Sequence, residues 1–210
     1  MSRILYIKAS PRGSRSHSVA VAEAFLESYR EIHPEDDIVT LDLFAAELPP
    51  FDGLLINAKY NIMHGRPHSA EEAAAWRVVE DFIARFKTAD KYVLATPMWN
   101  FSIPYRLKQY LDIIVQPTYA FTYTAEEGYK GLVTGKPILL ACARGGQYSP
   151  GMPGEALDLQ TKYLEVILRF IGFTDMRTVI VEPTLEGGPE VAQAKRQAAL
   201  AQAREMAKGF

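Results

Sequence analysis

Five short apolar runs punctuate this chain: "ILYIKA" at 4–9, "DIVTLDL" at 37–43, "KYVLATP" at 91–97, "PILLACA" at 137–143 and "RTVIVEP" at 177–183. Their length and their richness in Ile, Val and Leu predict strands buried on both faces. Between them the apolar residues change period. Val19, Ala22, Leu26 and Tyr29 step by three, four and three, which draws one face of a helix. Trp76, Val79, Ile83 and Phe86 repeat those steps, and Ser69 with Glu72 supplies a capping box at the start of that second helix. A third helix is predicted near Tyr105–Val115, a fourth carries Leu157, Leu164, Ile167, Leu168 and Ile171, and an Ala-rich fifth fills Pro189–Lys208.

Strict alternation of this kind implies parallel strands joined by right-handed helical crossovers, hence an α/β three-layer sandwich around a five-stranded parallel sheet. At 210 residues a single domain over 1–210 is expected. Two segments break the alternation, 44–68 and 116–136. Loops this long in a compact domain are usually functional or partly structured. The first is open between a surface excursion and a functional segment. The second, with "YAFTY" and "GLV" around a Glu-Glu-Gly turn, suits a small hairpin at the edge of a pocket.

Composition narrows the partners. The net charge is -2, so no nucleic-acid surface and no membrane-hugging basic face is expected. The first apolar run is shorter than a signal-peptide core, and no run approaches the ~20 apolar residues of a membrane span. The single cysteine, Cys142, excludes an intrachain disulfide and a cysteine-based metal cluster, and fits a cytoplasmic setting. Inside an apolar strand it reads as a packing residue. The four histidines show no metal-ligand spacing.

In open parallel sheets ligands bind beyond the carboxyl ends of the strands, where the winding reverses. After the first strand comes "ASPRGSRSHS", with no Gly-Lys-Ser/Thr and no G-x-G-x-x-G. What it has is Ser10, Ser16 and Ser18 around the N-terminus of the first helix, where free N–H groups and the helix dipole favour an anion. A terminal phosphate suits the three hydroxyls together, while either Ser16 or Ser18 alone also suits a helix N-cap. Arg12 and Arg15 either add charge to this site or are solvated loop residues.

After the third strand comes "TPMWNFSIP", with Pro97 and Pro104 holding the backbone extended. Between them Met98, Trp99 and Phe101 offer flat or polarizable surface and Asn100 an amide that both donates and accepts. A planar heteroaromatic ring needs that combination. After the fourth strand, "ARGGQY" begins with Ala143, and Gly145 and Gly146 lack β-carbons. Either a ligand approaches their N–H groups or a turn simply needs glycine there.

A phosphate at the first helix and a planar ring between the later loops together describe FMN. On "ASPRGSRSHS", "PMWNFSIPYRLKQYLD", "GLVTGK", "ARGGQY" and "FIGFTD", the chain resembles the FMN-dependent NADH-azoreductases of bacteria, within the wider flavodoxin-like quinone reductase group. The resemblance covers essentially the whole chain and implies a flavodoxin-like fold. It implies that Ser10, Ser16, His17 and Ser18 hold the ribityl phosphate, and that Pro97, Met98, Trp99, Asn100 and Phe101 line the isoalloxazine. Ala143, Arg144, Gly145 and Gly146 would then meet its pyrimidine side. It also implies a homodimer with active sites at the interface, so that the "YAFTY" loop covers the partner's flavin. Trp99, Phe101, Tyr119, Phe121 and Tyr148 would line the substrate pocket. Two departures stand out: Ala143 where the best-known members carry serine, and Trp99 where tyrosine is common.

The implied activity is two-electron reduction of quinone, azo or nitroaromatic acceptors by NADH or NADPH, in ping-pong order, with the flavin and no side-chain nucleophile carrying the chemistry. The rival from another class is a flavodoxin-type electron carrier with no substrate of its own. Such carriers are usually strongly acidic, and this chain is nearly neutral.

Overall fold

The computed structural model describes residues 1–210. In chain order the elements are β1 (Arg3–Lys8), α1 (His17–Ile32), β2 (Asp37–Asp42), α2 (Gly53–Met63), α3 (Ala70–Lys87), β3 (Lys91–Pro97) and α4 (Tyr105–Ile114). Then follow β4 (Phe121–Thr124), β5 (Gly128–Gly131), β6 (Ile138–Ala143), α5 (Thr161–Ile171), β7 (Met176–Val181) and α6 (Gly188–Ala207). Five strands form one parallel sheet in the order β2-β1-β3-β6-β7, and β4 with β5 form a separate antiparallel hairpin. The expected five-stranded parallel sheet and its flanking helices are therefore present.

Alternation along each strand divides the core between the two faces of the sheet. Leu5, Ile7, Leu94, Leu140 and Cys142 point into one cluster with Val79 and Ile83 of α3, Leu107 of α4 and Leu164 of α5. Ile4, Tyr6, Val93, Leu139 and Ala141 point into the other, with Phe25 and Tyr29 of α1 and Ala199 and Ala203 of α6. The small alanines let α6 approach closely, and it packs against α1. Each fully buried Ile, Leu or Phe contributes about 1.5–3 kcal/mol, so both layers are needed to hold the sheet.

The segment 44–68 holds a helix that the apolar period left unassigned. Asp52 caps α2 by accepting from the amides of Leu54 at 3.1 Å and Leu55 at 3.3 Å, and Leu55 and Ala58 are buried. The approach to α2 is fixed by α4: Arg106 donates to the carbonyls of Leu43 and Ala46, and Gln109 to that of Pro49. The fourth predicted helix starts later than expected. Leu157 lies in a short 3-10 turn and is 47% exposed, because Asp158 Oδ1 accepts from the amides of Gln160 and Thr161 and fixes the helix start after itself. The expected hairpin in 116–136 forms and leans on α5. Only glycine fits at position 131, since a β-carbon there would stand 2.3 Å from the backbone of Ile171 and Gly172.

Candidate functional site

The carboxyl ends of β1, β3 and β6 lie side by side, and the three loops noted in the sequence leave from them. Ser10, Ser16 and Ser18 are all buried. Ser16 is the N-cap of α1, its hydroxyl accepting from the amide of Val19 at 3.3 Å, and it also lies 3.2 Å from the hydroxyl of Ser18. The capping role and the cluster of hydroxyls thus coexist in one residue. Ser10 Oγ and His17 Nδ1 are buried without any hydrogen-bond partner. His17 is held below its ordinary pKa by burial first and then by the charges of Arg196 and Arg12. The first-turn amides of a helix have no intrahelical acceptor, so this end of α1 is rich in donors and positive in potential.

After β3 the chain makes a tight reversal. Trp99 and Ser102 exchange backbone hydrogen bonds at 2.9 and 3.0 Å, and the two residues between them, Asn100 and Phe101, sit at φ of 46° and 69°. That is the positive-φ signature of a hairpin turn without glycine, tolerable for asparagine and strained for phenylalanine. The reversal leaves Asn100 and Phe101 exposed, while Trp99 packs against Phe44 and Tyr105. Pro97 and Met98 are half-buried, and the amide of Met98 donates to the carbonyl of Ala143, tying this loop to the next.

In the loop after β6, the amides of Gly145 and Gly146 donate to no backbone acceptor. Neither glycine has positive φ. Their lack of a side chain is already used within the chain: a β-carbon on Gly145 would lie 3.1 Å from Leu185, and one on Gly146 would lie 3.3 Å from the Tyr148 ring. Arg144 departs from its expected place at a ring edge. Its side chain is fully buried and bonded to Gln160, Asp158, Thr161 and Glu182, and its own amide and carbonyl are taken by Val181 and Thr184. The guanidinium is thus committed to the chain's own polar groups rather than to a ring edge. Cys142 is buried beside it, and burial pushes its thiol up to about 12, so it stays protonated.

The five pocket residues do not converge within one chain. Trp99, Phe101 and Tyr148 stand at the sheet's carboxyl end, the last two with ring centroids 6.2 Å apart. Tyr119 turns to α3 instead, donating its hydroxyl to Glu80. Phe121 packs on Phe170 and helps to line a groove of about 720 Å³ between α2 and the hairpin, with Lys59, Tyr60, Met63, Tyr123 and Tyr129. The residues that sequence reasoning missed are Lys59, Tyr60 and Met63, and the polar group around Arg144. The spacing of Leu55, Ala58 and Ile62 behind the Asp52 cap was a usable helix signal for the first set. No local pattern marks the second, whose members are up to 38 positions apart.

A five-stranded parallel sheet whose second strand lies outside the first, with loops gathered at the carboxyl ends of the inner strands, defines a doubly wound α/β protein of flavodoxin-like order. The chain belongs to the family described as Flavodoxin-like fold, which matches residues 2–207. A relative from Nitratidesulfovibrio vulgaris (strain DP4), named FMN-dependent NADH:quinone oxidoreductase, is 58% identical over 100% of both chains. Another from Pseudomonas fluorescens, FMN-dependent NADH:quinone oxidoreductase 3, is 39% identical over 99% of this chain and 96% of its own. Among solved structures, the azoreductase from Bacillus anthracis str. Sterne superposes with a TM-score of 0.92 at 37% identity, covering 100% of both chains. An FMN-dependent NADH-azoreductase from Bacillus anthracis str. Ames Ancestor, in complex with FMN, superposes with a TM-score of 0.87 at 30% identity, covering 99% and 100%.

Proposed function

We propose that this chain is an FMN-dependent oxidoreductase that uses NADH or NADPH to reduce quinones and azo compounds. The observation that carries the proposal is the pair of buried, partnerless polar atoms at the N-terminus of α1, Ser10 Oγ and His17 Nδ1. Each such atom costs about 1–3 kcal/mol, and two at one helix end fit a ligand's phosphate oxygens. Hydroxyls, imidazole, first-turn amides and the nearby guanidinium of Arg12 form a donor set suited to that group. For the ring, Met98, Trp99, Asn100 and Phe101 supply surface and an amide, and the free N–H groups of Gly145 and Gly146 supply an electropositive edge. Two relatives and two solved structures whose names specify FMN or azo and quinone reduction support the same assignment.

FMN, when bound, supplies reversible two-electron chemistry between the nicotinamide donor and the acceptor. The chain's part is to hold and polarise. The serine turn fixes the phosphate end, the Trp99–Ser102 reversal walls one side of the ring, and the glycine amides stabilise negative charge in the manner of an oxyanion hole. No side chain acts as nucleophile. The same reading includes a homodimer, supported by the exposure of Tyr60, Met63, Tyr123 and Tyr129 around the hairpin groove, at 51%, 51%, 61% and 66%. No helix is long and apolar enough to cross a membrane. A cytoplasmic setting belongs to the same reading, supported by one buried, unpaired thiol.

The test is anaerobic. The FMN-loaded protein should be bleached by NADH alone and recoloured by a quinone after the nicotinamide is removed, and initial rates should give parallel double-reciprocal lines. Failure of NADH to reduce the loaded protein would overturn the enzyme assignment and favour an electron carrier.

A further inference from the structure

We propose that Glu182, braced by Arg144, is a positioning residue that sets which acceptors the ring site admits, acting through Tyr148; the inference rests on the reading of the site given above. Glu182 follows the last residue of β7, and its side chain is only 11% exposed. Both carboxylate oxygens are occupied. Oε2 accepts from the amide of Tyr148 at 3.1 Å and from Arg144 Nη1 at 3.3 Å, and Oε1 accepts from the amide of Ser149 at 3.0 Å. Two consecutive amides of the glycine loop are thus clamped by one side chain from the neighbouring strand.

The brace is a single buried guanidinium. Arg144 donates to Gln160 at 3.0 Å, to Asp158 at 2.9 Å and to Thr161 at 3.1 Å besides its bond to Glu182. Gln160 passes the tie on to the carbonyl of Thr96 at 3.3 Å, and the amide of Leu159 donates to the carbonyl of Phe101 at 3.0 Å. The ends of β3, β6 and β7 are therefore joined through one cation. Such a network holds geometry well, because removing one partner leaves a buried charge uncompensated.

What this network positions is an aromatic ring. Tyr148 stands edge-on to Phe101, with centroids 6.2 Å apart and planes at 68°. Its ring also runs close past two glycines: a β-carbon on Gly146 would meet it at 3.3 Å, and one on Gly154 at 2.7 Å. Two glycine positions and a two-point clamp thus specify where one ring sits. Phe101 and Tyr148 belong to different loops, so the opening between them depends on the Phe101–Leu159 tie on one side and the Glu182 clamp on the other.

The test uses the FMN-loaded protein with Glu182→Gln, Tyr148→Ala and the double variant. Glutamine keeps the volume but offers one acceptor oxygen where three donors converge. Glu182→Gln should change the ratio of KM values for a small benzoquinone and a bulky azo dye at least fivefold, with FMN affinity altered less than threefold. Amide hydrogen exchange at Tyr148 and Ser149 should quicken at least tenfold while exchange in α5 is unchanged. Tyr148→Ala leaves the ion cluster intact and should shift the same KM ratio; in its background Glu182→Gln should add less than twofold. Additive effects, no shift in the Tyr148→Ala ratio, faster exchange throughout the chain, or loss of FMN in step with the KM change would each overturn the proposal. Those results with normal FMN binding and NADH reduction in the unaltered protein sink this inference alone, whereas an unaltered protein that binds no FMN sinks the functional reading beneath it.

Discussion

A carboxylate in place of the N-cap Ser16 is nearly harmless to the helix and hostile to a phosphate. Aspartate caps as well as serine, and Ser16 is the N-cap of α1, so the Ser16→Asp variant should keep its fold. Each charged hydrogen bond lost costs about 1.5–3 kcal/mol, before repulsion is added. FMN affinity, measured by quenching of flavin fluorescence, should fall by about two orders of magnitude or more. Unchanged affinity would move the phosphate elsewhere. The serines of this turn were legible in the sequence because a helix N-terminus is a local structure, built from neighbours along the chain. Arg144 was not. Its place among the candidate ring contacts came from the family resemblance, and the carboxylates that draw it inward, Asp158 and Glu182, come from separate loops that only the folded sheet brings together.

The inner strands β1, β3 and β6 and the long helices declared themselves because each buries a whole face, and burial writes its period into the residues. The edge strand β2 has no fully buried residue and was marked instead by its β-branched composition. α2 buries only Leu55 and Ala58, so the one helical signal in 44–68 was the short Leu55–Ala58–Ile62 spacing behind the Asp52 cap, and the segment read as a loop. The hairpin was legible from its turn, yet its dependence on α5 was not. Gly131→Ala should expose that dependence. With backbone 2.3 Å from the new β-carbon, no side-chain adjustment can relieve the clash. Overpacking typically costs 1–3 kcal/mol, and about the upper end is expected in the urea midpoint, together with loss of the hairpin's amide protection. The reversal at Asn100 and Phe101 offers the opposite case. Phe101 is 42% exposed and sits at φ 69°, so Phe101→Gly should release strain of about 1 kcal/mol while weakening acceptor binding. A variant that melts higher but works less well would show strain kept for the site; a lower melting temperature would show that the ring's packing outweighs it.

The whole molecule is most exposed to alkali. Burial raises the hydroxyls of Tyr6, Tyr92 and Tyr110 above their ordinary value of 10.0 and raises the thiol of Cys142 from 9.0 to about 12. In the unfolded chain these groups ionise at their ordinary values, so the stability they support is intact below about pH 9 and is lost as pH rises from there. The urea midpoint should fall steeply above pH 10, with the tyrosinate absorbance of these three appearing only on unfolding. A flat midpoint up to pH 11 would show that the buried rings do not control the transition. At this scale the sheet was readable from alternation alone, whereas the groove beside the hairpin was not, because its walls come from α2, α5 and residues 117–129. If that groove joins two copies, light scattering should give twice the 23.5 kDa chain mass. The hairpin then serves the neighbour's site and leaves its own chain's site to the other copy. Two dead variants can in that case rescue one another. A chain carrying Ser16→Asp keeps a sound hairpin, and a chain carrying Phe121→Ala and Tyr123→Ala keeps a sound phosphate turn. Unfolded, mixed and refolded together, they should regain activity through mixed pairs holding one complete site each, and silence in the mixture would return the hairpin to its own chain.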